Sequence, residues 1–160
     1  MTPQKIKTFL WYDNAAEEAA KFYCSLFKDS QIVSVSRYPE GGPAPAGAVM
    51  TVAFKLAGIE FIALNGGPIF KFTEAISLTV DCEDQTEFDF LWDKLTSDGG
   101  TPSQCGWLKD KWGLSWQITP RVLPQLLSSS KPGVAQRVMG AMMQMTRIDI
   151  AALQRAADSQ

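Results

Sequence analysis

Histidine occurs nowhere in the 160 residues. Its absence removes imidazole acid–base chemistry, Ser-His-Asp and Cys-His nucleophile pairs, and zinc or iron sites built on histidine. A metal site would need carboxylates, amides, carbonyls and water, a donor set that suits Mg²⁺ or Ca²⁺ better than transition ions. Cysteine is scarce as well. Cys24, Cys82 and Cys105 are odd in number and unequally spaced, with no metal-knuckle pattern, and fit free thiols in a reducing cytoplasm. No sign of charge dominates: 15 basic and 17 acidic residues are scattered for a net charge of −2, which gives no footprint for nucleic acid. No apolar run approaches the ~18 residues of a membrane span, and the first residues lack a signal-peptide pattern. A cytoplasmic chain that makes no membrane contact is expected, long enough to bury a core without staples.

What is present is ordered strand, helix, strands, and then the same again. Ile6 to Tyr12 is a short aromatic-rich run of strand character. Asn14 reads as an N-cap with Glu17 three residues on, opening a helix over Ala15–Phe27 with Ala16, Ala19, Phe22, Tyr23 and Leu26 on one face. A second strand runs from Ile32 towards Tyr38. The Gly/Pro stretch Pro39–Gly47 suits either a flap over a pocket or a plain hairpin tip. Ala48–Leu56 and Ile59–Asn65 form a hairpin through Ala57-Gly58. Ala75–Cys82 then repeats the first strand, and Asp84 caps a helix with Phe88, Leu91, Trp92 and Leu95 on its stripe, stopped by Gly99-Gly100. Beyond Pro120 come a short helix over Val122–Leu127, a methionine-rich segment Val134–Met145 and a last helix Ile148–Ala157 capped by Thr146 or Asp149. Methionine at this density fills irregular gaps or greasy interfaces, so this tail is expected to pack on the body or on a partner subunit.

The most informative stretch is Cys105–Pro120. Trp107, Trp112 and Trp116 fall within it, around the turn Asp110-Lys111-Trp112-Gly113. Period-2 alternation sets Leu114, Trp116 and Ile118 against Ser115, Gln117 and Thr119. The first set suits a core and the second a polar cavity wall.

Taken together, Phe9-Leu10-Trp11-Tyr12, Ala15-Ala16-Glu17-Glu18-Ala19 with Phe22-Tyr23, Leu78-Thr79-Val80-Asp81-Cys82, Asp98-Gly99-Gly100, Cys105-Gly106-Trp107-Leu108 with Asp110, Trp112-Gly113 and Trp116-Gln117, and Ile148-Asp149-Ile150-Ala151 span nearly the whole chain. This set resembles the PhnB-like branch, labelled 3-demethylubiquinone-9 3-methyltransferase, of the glyoxalase/bleomycin-resistance/dihydroxybiphenyl-dioxygenase (vicinal oxygen chelate) superfamily. The resemblance implies an α+β fold of two βαβββ modules whose mixed sheets form cups with helices outside, plus a C-terminal helical extension, assembled as a homodimer. It places one domain over 1–120 (modules 1–70 and 71–120) and the extension over 121–160, in the same domain or at a dimer contact. In metal-dependent relatives, His, Gln or Glu ligands come from the first strand of each module and from the last strands. Those positions fall here on Lys7 or Thr8, on Ala75 or Ser77, and on Gln117. A lysine ammonium offers no lone pair, so neither a metal nor another cofactor is expected.

Two functions follow. The first is binding of a small aromatic or amphipathic molecule, with Phe9, Trp11, Trp107 and Trp112 as stacking surfaces and Asn65, Ser115 and Gln117 as hydrogen-bonding groups. The second is an enzyme of the superfamily, a lyase, isomerase or group-transfer catalyst. Glu60, Lys7, Lys109 and Asp110 would then be its acid–base candidates, Glu60 if burial raises its pKa, and Cys105 a nucleophile activated by Lys109 or Lys111. A dimer with no small ligand is the third possibility. A Rossmann-type methyl-donor site is not expected, because the first strand meets its helix through Asp13-Asn14 without glycine.

Overall fold

The computed structural model describes residues 2–160, which divide into two compact units, one ending at Lys71 and the other running Phe72–Gln160. In the first, β1 (Thr8–Tyr12), α1 (Ala16–Leu26), β2 (Gln31–Arg37), β3 (Val49–Leu56) and β4 (Ile59–Asn65) follow in order. The sheet order is β1-β4-β3-β2, with β1 parallel to β4 and the other pairs antiparallel. Alternation sends Leu10, Tyr12, Val52, Phe54, Phe61 and Ala63 beneath α1, where Tyr23 meets Phe54 and its hydroxyl bonds that of Tyr12 at 3.0 Å. The β3–β4 turn has positive φ at both Ala57 (47°) and Gly58 (80°), the primed geometry that matches strand twist. Pro39–Gly47 is tied as a hairpin tip: Tyr38 N–H donates to Ala48 O and Gly47 N–H to Tyr38 O, both at 2.9 Å.

Local signals mislead at α1. Ala15, not Asn14, occupies the cap position and makes no side-chain bond. The acceptor for the Ala16 N–H is Asn65 Oδ1 at 2.8 Å, delivered from the end of β4.

The second unit repeats the plan. β5 (Ser77–Cys82), α2 (Gln85–Thr96), β6 (Thr101–Pro102), β7 (Trp107–Lys109) and β8 (Ser115–Pro120) give the order β5-β8-β7-β6, again with the first strand parallel to the last. Here the cap is local: Asp84 Oδ1 accepts the Glu87 N–H at 2.9 Å, and Glu87 reaches back to the Glu83 N–H at 2.7 Å. Phe88, Leu91, Trp92 and Leu95 bury as the periodicity predicts. β5 begins at Ser77 rather than Ala75, and Ile76 stays largely exposed.

Three further helices, α3 (Val122–Leu127), α4 (Val134–Met142) and α5 (Ile150–Asp158), belong to this same unit. The chain before α5 lies along the β6–β7 connection, with Cys105 N–H on Met145 O (2.8 Å) and Gly106 N–H on Thr146 O (2.9 Å). Gln85 accepts the Ile150 N–H and donates to Ile148 O, and Arg147 bridges Asp89 and Asp93. The last helix starts two residues later than its sequence suggests, with Asp149 as its cap. Among the described residues no helix is long and apolar enough to cross a membrane.

Candidate functional site

Register decides what each sheet presents on the side away from its helix. In the second unit, Ser77 pairs with Ser115 and Ser115 with Lys109, while Thr79 pairs with Gln117 and Gln117 with Trp107. Paired residues point to the same side, so these residues share one open face; Leu108, Trp116 and Ile118 are buried on the other. Gln117 Nε2 donates to Ser77 Oγ at 2.8 Å, which fixes the amide and leaves Oε1 to accept. Half-buried Trp107 stands beside it, and Lys109 bonds Glu74 at 2.7 Å at the edge. Ser115 is on this face yet only 1% exposed, so it can supply little to a ligand.

Trp112 does not join that row. It lies in the turn after β7, with its N–H on Asp110 Oδ1 (3.0 Å) and Lys111 Nζ 4.7 Å above its ring. Asp110 is the turn's buried hub: it also accepts the Leu114 N–H at 3.1 Å and the Trp116 indole N–H at 3.0 Å. A carboxylate engaged by three N–H groups is a structural anchor, so Asp110 leaves the set of acid–base candidates.

In the first unit Phe9 and Trp11 share the open face with Ile62 and Leu64, and Phe9 is 54% exposed. Trp11 is held: its Nε1 donates to Gly67 O at 2.8 Å, and Phe70 meets its ring edge-on at 4.9 Å. A Cβ on Gly66 would lie 2.3–2.6 Å from Trp11 ring atoms, so glycine is what admits the indole there. Phe70 was not picked out from the sequence; the only hint is its place after the Gly-Gly-Pro turn. Asn65 faces the other way. Besides capping α1 it donates to Val49 O at 3.2 Å, so the structure does not bring it to the aromatic face.

The remaining reactive candidates are also engaged. Glu60 is half-exposed and ion-paired with Lys7 at 2.6 Å. The Lys7 hydrogen bond holds its carboxyl below the usual glutamate range, the reverse of the burial-raised base expected. Cys105 turns its thiol to the C-terminal helices, 3.5 Å from Met142 O, and the lysines named as its activators are occupied by Glu74 and by the Trp112 ring. Burial pushes the Cys24 thiol up, and burial followed by Glu87, Asp81 and Asp84 pushes Cys82 up to about 12. Of the positions where metal-dependent relatives carry ligands, Ser77 lies on the open face and Ala75 outside the sheet. Thr8 is paired with the core residue Phe61, and Lys7 is committed to Glu60.

Two βαβββ units, each with a helix on one sheet face and the other face open, define the vicinal oxygen chelate class. The family model described as 3-demethylubiquinone-9 3-methyltransferase matches residues 4–119. A PhnB protein from Bacillus cereus is 43% identical over 73% of this chain and 99% of its own, with a TM-score of 0.67. The chain therefore belongs to the PhnB-like family of the glyoxalase/bleomycin-resistance/dioxygenase superfamily. Two more distant structures share the fold alone. A Pseudomonas aeruginosa protein has 16% identity over 74% of this chain and 98% of its own, with a TM-score of 0.59. The fosfomycin resistance protein FosX from Mesorhizobium loti has 12% identity over 81% and 100%, with a TM-score of 0.56. No curated protein matches the chain.

Proposed function

We propose that this PhnB-like protein is a cytoplasmic homodimer that binds a small aromatic or amphipathic molecule on an open sheet face without a resident metal. The observation that carries this reading is the Trp107–Gln117 pair, with the amide anchored by Ser77. An indole offers stacking worth about 0.5–1.5 kcal/mol beyond buried area, and a pre-oriented amide oxygen rewards a ligand N–H or O–H while adding little ordering cost.

The donor set does not fit a catalytic divalent ion. Gln117 and Ser77 are neutral and bonded to each other, and the Lys109 ammonium stands on the same face. Among the described residues no group of three or more His, Cys, Asp or Glu side chains is arranged to hold a metal ion. A Rossmann-type methyl-donor site fits no better. β1 reaches α1 through Asp13, Asn14 and Ala15, and β5 reaches α2 through Glu83 and Asp84, both without glycine and both in mixed sheets.

The test is a screen of small aromatic compounds by tryptophan quenching, followed by Trp107→Ala and Gln117→Ala. Saturable hits should weaken tenfold or more in each variant. Absence of saturable quenching, or hits indifferent to both changes, would sink the proposal. The enzyme reading keeps one foothold, the ion pair that Lys109, on the same sheet face, makes with Glu74. It predicts that a hit is consumed by the wild type and left intact by Lys109→Met.

A further inference from the structure

Four of the six methionines fall between positions 139 and 145, and the sheet-face function above uses none of them. They are not simply core filling. α4 buries Val134 and Val138, whereas Met139 is 43% and Met143 57% exposed. Met143 N–H donates to Met139 O at 3.0 Å, so the two side chains stand one helical turn apart on one face. The half-exposed thiol of Cys105 lies 3.9 Å from Met143 Sδ. Cys105 is fixed there by its own backbone. It holds φ +57°, an uncommon value for a residue with a Cβ, and its N–H is locked onto Met145 O at 2.8 Å.

We propose that Cys105, Met143 and Met139 form a site for a soft monovalent metal ion of the copper(I) class. Thiolate and thioether are soft donors that select such ions over hard ions such as Mg²⁺ or Ca²⁺. Two metal–sulfur bonds of about 2.3 Å meeting at a trigonal angle put the sulfurs about 4 Å apart, which the Cys105–Met143 separation already meets. On this proposal Met139, 43% exposed and one helical turn before Met143, reaches the ion with its unbranched side chain as the third donor. Binding breaks the S–H bond of Cys105, sends the proton to solvent and gives the sulfur electron pair to the metal. The thioethers donate lone pairs and no oxidation state changes. The thiol's contact with Met142 O is given up to water at this half-exposed position. The site shares no residue with the ligand proposal, so it stands or falls independently of it.

The experiment is anaerobic titration of the reduced full-length chain with copper(I) against a colorimetric copper(I) chelator. The wild type should hold one equivalent and show a thiolate-to-metal ultraviolet band. Cys105→Ser should remove the band and weaken binding at least a hundredfold. The paired change Met139→Leu/Met143→Leu, near-isosteric and at exposed positions, should weaken it tenfold or more. Cys24→Ser should leave it unchanged. No retained copper, retention indifferent to the paired leucine variant, or loss in Cys24→Ser would each overturn the proposal.

Discussion

Removing the Asp110 carboxylate would strand the buried Leu114 and Trp116 N–H donors and the part-buried Trp112 N–H. An unsatisfied buried donor costs about 1–3 kcal/mol, so Asp110→Ala is expected to destabilise the chain by about 3 kcal/mol or more in chemical denaturation. Asp110→Asn separates charge and geometry from bulk. Its oxygen can still accept backbone N–H groups, but its NH₂ would face the Trp116 indole N–H, donor against donor, at a cost of about 2 kcal/mol. A loss below about 0.5 kcal/mol in the asparagine variant would refute the hub assignment. The sequence shows Asp110 only as a polar residue in a turn. What turns it from a candidate acid into an anchor is that Gly113, at φ +89°, folds the chain back so that three donors converge on one carboxylate.

At the level of elements, α2 and α5 are capped by residues adjacent in sequence, and α1 is not. That difference sets how far each was legible. Asp84 can be recognised from its spacing to the following helix, and Asp149 is one of two local candidates, beside Thr146, between which the structure decides. The α1 cap cannot, because its acceptor arrives from Asn65 only once β4 pairs in parallel with β1. Asn65→Ala should therefore cost about 1–2 kcal/mol, whereas Asn14→Ala should stay within about 0.5 kcal/mol, both read by denaturant midpoint at constant m-value. The opposite ranking would restore the local cap at Asn14. The same logic explains the site. Alternation alone separates Trp116 from Gln117, but the facing of Asn65 away from Phe9 depends on a register the sequence does not show.

For the molecule as a whole, two copies of one topology were legible because each helix carries its own apolar stripe and each first strand its own aromatic or β-branched run. What covers the surfaces left apolar was not. In the first unit Ile6 (87% exposed), Ile69 (74%) and Phe70 (62%) stand in solvent, with Phe70 resting on Trp11. Exposed apolar side chains such as the adjacent Ile69 and Phe70 suit an association surface, and a second copy of this chain is the partner the family reading proposes. On that proposal Ile69 and Phe70 meet the partner, and Phe9 with Trp11 remains for ligand. Sedimentation should then give twice the 17.6 kDa chain mass at micromolar concentration. Phe70→Glu would bury a carboxylate at the contact and should weaken association at least tenfold, leaving the fold intact because the side chain is exposed within its own unit. A wild-type monomer at tens of micromolar, or a Phe70→Glu protein that dimerises as well as the parent, would remove Phe70 from the interface and leave its exposure to be explained by ligand contact alone.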